Sequence, residues 1–396
     1  MKNWQKTSMY TSLVLLLILV LLIYFLPINI SLSSSDLHFS PGEPLEMGEP
    51  DSISEKPENI IFFVADGMGF SHLSLALMTQ QKEGEMPVWD EFEVRGWHDA
   101  RCTYGPLTDS GASATALATG VSTFWEVIGQ DTSGKHLENV LELAQNCGYA
   151  TGIVTDSYVW DATPAAFVAH TKSRDNSEDI LNQIADSKLD LIFGELEDIG
   201  EDNNPDLETT LEIIDRRYYR LDERLDISEV PDPGQPIAAI FKEDQVNDLN
   251  STPTFPKMVE VGLNRLIEQE KPFIMIVECE EMDAASHANN SGRVIKGLKA
   301  MQEALTIIME YAKKDGETLV VFTSDHETGG LSANGNYGSY PDMFISWTTR
   351  EHTATVVPVL ATGPGAELFS QVRRNNDIGI LLKKMIKKEV VNAPES

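Results

Sequence analysis

The sequence predicts an α/β fold with a mostly parallel central sheet and helices on both faces. Two observations carry that prediction. Short apolar blocks recur as continuous runs rather than alternating ones, the pattern of strands covered on both sides. Longer amphipathic stretches lie between several of them, as strand–helix–strand units require. In chain order the runs are 59–64 (NIIFFV), 150–154 (ATGIV), 237–241 (IAAIF), 273–277 (FIMIV), 318–322 (TLVVF) and 356–360 (VVPVL). Helical patterns fill 137–146 and 291–314. The stretch 186–250 is the most acidic and least periodic, as in GELEDIGEDNNPD, and reads as a surface excursion. No internal repeat is visible.

Composition narrows the function. The chain has 396 residues, 42% of them hydrophobic, which excludes wholesale disorder and suffices for one large domain or two ordinary ones. A formal net charge of −32 argues against binding a nucleic-acid backbone. The three cysteines, Cys102, Cys147 and Cys279, are too few for a disulfide scaffold, and without a CxxC pair they exclude a zinc finger.

At the amino end, Lys2 and Lys6 precede the run 13–26, LVLLLILVLLIYFL. Basic residues before an apolar core describe a secretory signal or a signal anchor. We therefore assign 1–30 to a signal peptide or membrane anchor, 31–57 to a flexible linker rich in Ser, Pro, Glu and Gly, and 58–390 to the folded domain. The expected location is outside the cytoplasmic membrane, either free in the periplasm or anchored by residues 11–30.

The residues at and just past the strand ends carry the chemistry. The run at 59–64 leads to Asp66, that at 273–277 to Glu278 with Asp283 and His287 close behind, and that at 318–322 to Asp325 and His326. Open α/β sheets bind ligands beyond the carboxyl ends of their strands. Asp283 and His287 are four apart, so a helix puts both on one face, whereas Asp325 and His326 need a turn to converge. Mixed carboxylate and imidazole donors suit Zn²⁺, and the oxygens of Asp66, Glu278 and Thr163 suit Mg²⁺. Gathered without cations, these carboxylates would repel one another and any anionic substrate; divalent ions reverse the local sign.

Ser110 opens a second pattern, DSGASATALATG at 109–120. Asp109 is an N-cap, the alanines favour helix, and Gly111 lets backbone approach a ligand. Ser110 then stands at a helix N-terminus, where N–H groups favour an oxyanion. Arg174 closes DATPAAFVAHTKSR, and a guanidinium fork matches two phosphate oxygens. Taken singly, each of these is as well explained by a capped helix or a surface ion pair.

Together with VADGMG (64–69), VECEEMDAASHANN (277–290), TSDHETGG (323–330) and REHTATVVPVLATGPGA (350–366), these segments resemble the alkaline phosphatase family, in its compact bacterial form. The motifs keep the family's order from residue 59 to about 369. The resemblance implies a phosphomonoesterase with broad substrate tolerance, using two zinc ions and one magnesium. One zinc would be held by Asp283, His287 and His352, the other by Asp66, Asp325 and His326. Magnesium would take Asp66, Thr163 and Glu278, with Asp161 supporting its waters. Ser110 would be the nucleophile and pass through a phosphoserine, with Arg174 holding phosphoryl oxygens. Family members are often dimeric, so a homodimer is admitted, although no interface signal stands in the sequence.

The chain departs from the family pattern in places. Ala284 follows Asp283 where many relatives carry Lys, His or Trp, which implies weaker retention of phosphate. Ala284→Lys is accordingly expected to tighten inhibition by inorganic phosphate, and a loss of affinity would contradict this. The connection 331–351 is short, so the crown over the site should be minimal and the cleft open. A sulfatase is disfavoured because no C/S-x-P-S-R sequence surrounds Ser110, and a diesterase more often uses Thr. A non-catalytic phosphate- or metal-binding protein would show a broken ligand set, whereas every matched position here is filled.

Overall fold

A computed structural model describes residues 55–80, 86–201, 204–232, 234–246, 252–335 and 343–387. The signal or anchor expected at 1–30, most of the linker and the last residues of the expected domain lie outside them. Among the described residues no helix is long and apolar enough to cross a membrane.

The elements in chain order are β1 (Asn59–Ala65), α1 (Phe70–Gln80), β2 (Val94–His98), α2 (Ser110–Thr119), α3 (Val140–Asn146), β3 (Ala150–Tyr158), α4 (Ala162–Ala166), α5 (Ser177–Asp186), β4 (Leu191–Leu196), α6 (Leu207–Asp215), β5 (Tyr219–Leu221), β6 (Ile237–Lys242), α7 (Phe255–Ile267), β7 (Phe273–Cys279), α8 (Glu281–His287), α9 (Ser291–Asp315), β8 (Thr318–Thr323), β9 (Glu327–Thr328), β10 (Ser332–Asn334), β11 (Phe344–Ser346), β12 (His352–Thr353), β13 (Val357–Thr362) and α10 (Asn375–Ile386). Nine strands form one sheet in the order β2-β13-β8-β1-β7-β3-β4-β6-β5. All neighbours pair in parallel except those of β13, which runs against both β8 and β2.

β1 shows why the strands are apolar throughout. Ile60, Phe62 and Val64 point into one core, beneath α2, α3, α5, α6 and α10. Ile61, Phe63 and Ala65 point into the other, beneath α1, α7, α8 and α9. Each face of the pleat is therefore covered, as the continuous runs require.

The stretch 186–250 is not the surface excursion that its acidity suggested. It contributes β4, buried along its whole length, and the inward face of α6. Of its described acidic residues, Glu195 is buried in β4, whereas Glu208, Glu212 and Asp215 lie exposed on α6. Of the short 331–351 connection, the described residues contribute the β10–β11 ribbon.

Helix α2 is held against α10 by an absence of side chain. A Cβ on Gly379 would lie 2.5 Å from the Gly120 nitrogen and 2.7 Å from the Ala116 and Leu117 carbonyl oxygens. Asn375 Nδ2 then donates to Ser113 Oγ at 3.1 Å, fixing the helix that begins with Ser110.

His98 ends β2 in full burial. Its Nε2–H donates to Thr323 Oγ1 at 2.8 Å, and Thr323 donates in turn to Pro358 O at 2.9 Å. Burial lowers this imidazole to about 4. The unfolded chain binds the proton near pH 6.5 and the folded one does not, so stability is full above that pH and falls on acidification toward pH 4. Between pH 7 and 5, His98 is expected to account for about 2 kcal/mol of the loss in urea denaturation. His98→Gln should shrink the pH difference by that amount; an unchanged difference would clear His98 of the effect.

Candidate active site

The carboxyl edge of the central strands builds the site. Asp66 follows β1 and Asp325–His326 follow β8; Glu278 is the penultimate residue of β7. Gly67 permits the approach of α8: its φ is +70°, and a Cβ there would meet Asp283 Cα at 2.8 Å. Helix α8 carries Asp283 and His287 one turn apart, with His287 Nε2 3.2 Å from Asp283 Oδ2. Because β13 is reversed, the chain enters it from this same edge. The segment before it, β12, pairs with β9 and sets His352 opposite Thr328. The rings of His326 and His352 stack with centroids 3.6 Å apart.

Ser110 is the first residue of α2, with 4% of its surface exposed. Its Oγ lies 3.3 Å from His326 Nε2. Asp109 caps the helix, accepting from Ala112 N at 3.1 Å and Gly111 N at 3.2 Å. It also accepts from Glu126 N at 3.0 Å, so a second loop is tied to the same cap. Ser113 Oγ donates to Asp325 O at 2.7 Å, locking α2 to the turn after β8.

Arg174 and Asp161 are one unit. Arg174 Nη2 donates to Asp161 Oδ1 at 2.7 Å, and Nη1 is 3.9 Å from Asp109 Oδ2. Asp161 is itself pinned by Ser157 Oγ at 2.8 Å and by its own cap bond to Ala162 N at 2.6 Å. The expected magnesium-supporting role of Asp161 thus has a competitor: its observed contact is to the guanidinium.

Histidine orientation is set from behind. His352 Nδ1 faces Thr108 O at 2.8 Å, and His287 Nδ1 faces Arg350 O. A carbonyl only accepts, so both Nδ1 atoms carry protons, and the Nε2 atoms are the ones that would face a cation, His287 Nε2 giving up the proton it shares with Asp283. Those Nε2 atoms stand 3.2 Å apart. Two nitrogens at 2.0–2.1 Å from a tetrahedral zinc would be about 3.3 Å apart. Asp283, His287 and His352 offer donor atoms within 4.8 Å of one another, and so do Asp66, Asp283 and His326. Asp283 therefore belongs to both groups, where the sequence motifs gave it to one. Asp325 is nonetheless adjacent, its Oδ2 3.2 Å from His326 Nε2. Thr328 Oγ1 donates to Asp283 Oδ1 and sits 3.2 Å from His326 Nδ1.

Four buried oxygens here lack a well-aligned hydrogen bond, although His326 Nε2 lies 3.2 Å from one and 3.4 Å from another: Asp325 Oδ2, Asp66 Oδ1, Thr163 Oγ1 and Glu278 Oε1. Native interiors rarely leave such atoms unpaired, and all four belong to residues expected to bind cations. Electrostatics agree. Burial, with the charges of Asp325, Asp283 and Glu278, pushes Asp66 well above the usual carboxylate range. Burial likewise raises Glu278, and lifts Asp325 to about 7 with help from Asp283. Asp283 goes the other way. Burial pushes it up, but the hydrogen bond to His287 and the charges of His326, His287 and His352 outweigh that and bring it below the usual range. Its partner His287 rises to about 9, chiefly through that bond. Divalent cations would relieve the crowding that raises the other three, so the residues present fit the metals.

Thr155, Thr328, Asp109 as a loop anchor and Ser157 carry no signal in the sequence. Thr155 Oγ1 donates to Glu278 Oε2, but a hydroxyl inside a strand has no pattern to find it by. All three cysteines are free, and Cys279 is buried with Sγ 3.2 Å from Asp156 Oδ2.

The fold and this edge define an α/β protein with a candidate metal centre and a serine at a helix N-terminus. The alkaline phosphatase family model matches residues 57–199 and 237–344. Alkaline phosphatase 4 of Bacillus subtilis is 28% identical over 414 residues, covering 83% of this chain and 88% of that one. The alkaline phosphatase of Escherichia coli K12 is 28% identical over 396 residues, covering 80% and 83%. Among solved structures, the alkaline phosphatase of the Antarctic bacterium TAB5 superposes with a TM-score of 0.73 at 27% identity, covering 84% of this chain and 99% of that one. A mutant of that enzyme with magnesium bound scores 0.72 at 26% identity, covering 85% and 99%. This chain belongs to the alkaline phosphatase family and is a hydrolase of phosphate monoesters.

Proposed function

We propose that the chain hydrolyses phosphate monoesters through a phosphoserine at Ser110, with two zinc ions and one magnesium and with tolerance of many leaving groups. The observation that supports this most directly is the pair of inward-facing Nε2 atoms of His287 and His352, 3.2 Å apart and beside Asp283. Asp283, His287 and His352 would hold one zinc; His326, Asp66 and Asp325 would hold the other, with Asp283 close to both. Asp66, Thr163 and Glu278 would hold magnesium. Bound there, the cations supply Lewis-acid charge that lowers the pKa of the Ser110 hydroxyl and of water and offsets the carboxylates.

The chain's own residues do the rest. Ser110 Oγ attacks phosphorus in line and the ester oxygen departs. Water then attacks the phosphoserine, returning Ser110 and releasing inorganic phosphate. The Gly111 side of the helix N-terminus and the Arg174 fork hold the equatorial oxygens, where transition-state charge is spread. With zinc and magnesium supplied, 4-nitrophenyl phosphate should be hydrolysed orders of magnitude faster than bis(4-nitrophenyl) phosphate or 4-nitrophenyl sulfate. Preference for the diester or the sulfate would overturn this reading.

Asp161 orients Arg174 through a charge-assisted bond of 2.7 Å. Such bonds contribute about 1.5–3 kcal/mol, so Asp161→Asn is expected to weaken inhibition by inorganic phosphate about tenfold or more. An unchanged inhibition constant would free Arg174 from this dependence. The apolar run at 13–26 supports export with anchoring or cleavage, and N-terminal sequencing of the mature protein decides between them: an intact Met1 in the membrane fraction retains the anchor.

A further inference from the structure

Two loops meet beside Ser110, and both expose aromatic rings. Tyr104 is 85% exposed, Trp125 49% and Phe124 36%. Tyr104 and Phe124 stack, with centroids 5.5 Å apart and planes 21° apart. Thr103 N donates to Thr123 O at 2.9 Å, joining the loops. The second loop is fixed to the phosphate seat by Glu126, next to Trp125. Glu126 N donates to Asp109 Oδ2 at 3.0 Å, and its carbonyl accepts from Arg174 N at 2.8 Å. A Cβ on Gly111 would stand only 3.4 Å from the Glu126 carbonyl carbon. Tyr104 and Glu126 both take φ of 65°, a left-handed conformation that side chains other than Gly and Asn seldom adopt. Such strain tends to persist where function demands a particular presentation.

The exposed faces of these indole and phenol rings are a surface for another flat ring. The Trp125 indole N–H is already directed to Leu107 O at 3.3 Å. That leaves its ring face as the means of recognition, which is stacking without hydrogen-bond reading. We propose that Trp125, supported by the Phe124–Tyr104 stack, is a platform for the planar aromatic leaving group of a phosphate monoester. The inference rests on the Ser110 assignment under Proposed function and adds the substrate class. The ring can come from a nucleobase or from an aryl group, and the chemistry is shared.

The test uses the full chain loaded with zinc and magnesium, and two substrate pairs matched in leaving oxygen. Adenosine 5′-monophosphate is compared with ribose 5-phosphate, and benzyl phosphate with cyclohexylmethyl phosphate. Stacking on an aromatic side chain should raise kcat/KM of the ring-bearing member about tenfold. Trp125→Ala should bring the ratio close to one, and Trp125→Phe should keep most of it. A high ratio in the adenosine pair alone assigns nucleotides, in the benzyl pair alone aryl esters, and in both any flat ring. Turnover with both wild-type ratios near one, or with ratios that Trp125→Ala leaves unchanged, overturns the platform and leaves the phosphatase assignment standing. Failure to hydrolyse all four esters overturns the Ser110 assignment and the platform with it.

Discussion

Ser110→Ala is expected to lower kcat/KM for 4-nitrophenyl phosphate by at least about 10³-fold, because a covalent route loses its nucleophile outright. The variant should fold. Asp109 still caps α2 through the backbone nitrogens of Gly111 and Ala112, and neither bond involves the Ser110 hydroxyl. Acid-quenching the wild type with labelled phosphate should place the label on the tryptic fragment containing Ser110, and the variant should take none. Retained label elsewhere in the variant would move the nucleophile.

Asp66→Asn should act with opposite signs on stability in two states. In chelator-treated protein, Asp66 is a buried carboxylate facing Asp325, Asp283 and Glu278, and burial with that repulsion raises its pKa. Replacing it by a neutral amide removes a crowded charge, so the stripped variant should be more stable than stripped wild type by about 1–3 kcal/mol. In the metal-loaded protein the same change removes a donor, so melting temperature and bound metal should both fall. Activity should drop at least about 10²-fold, as expected when a coordinating group is lost. Thermal denaturation of both proteins, with and without chelator, gives the four values. The same sign in both states would mean that Asp66 is not a cation ligand.

Much of the fold is legible in the sequence because its strands are buried on both faces. NIIFFV, FIMIV and TLVVF announce β1, β7 and β8, and these three deliver Asp66, Glu278 and Asp325. β4 (LIFGEL) is hidden because the loops around it are acidic and mask a short buried run. β2 (VRGWH) is hidden because it is an edge strand whose residues alternate in burial. The helical spacing of Asp283 and His287 is readable from two letters, and α8 carries it. His352 is not readable from spacing alone. It reaches the site because β13 is antiparallel, and strand direction is set by packing rather than by local sequence. The family motif supplies what local physics cannot. Thr155 and Thr328 show the remaining limit, since hydroxyls that orient carboxylates look like any others along a chain.

The most direct measurement is anomalous diffraction at the zinc absorption edge from crystals grown with zinc and magnesium. The account predicts a zinc peak bounded by Asp283 and the Nε2 atoms of His287 and His352, and a second beside His326 within reach of Ser110 Oγ. Crystals that diffract well yet show no anomalous density at these side chains, or show it only at surface carboxylates, would contradict it.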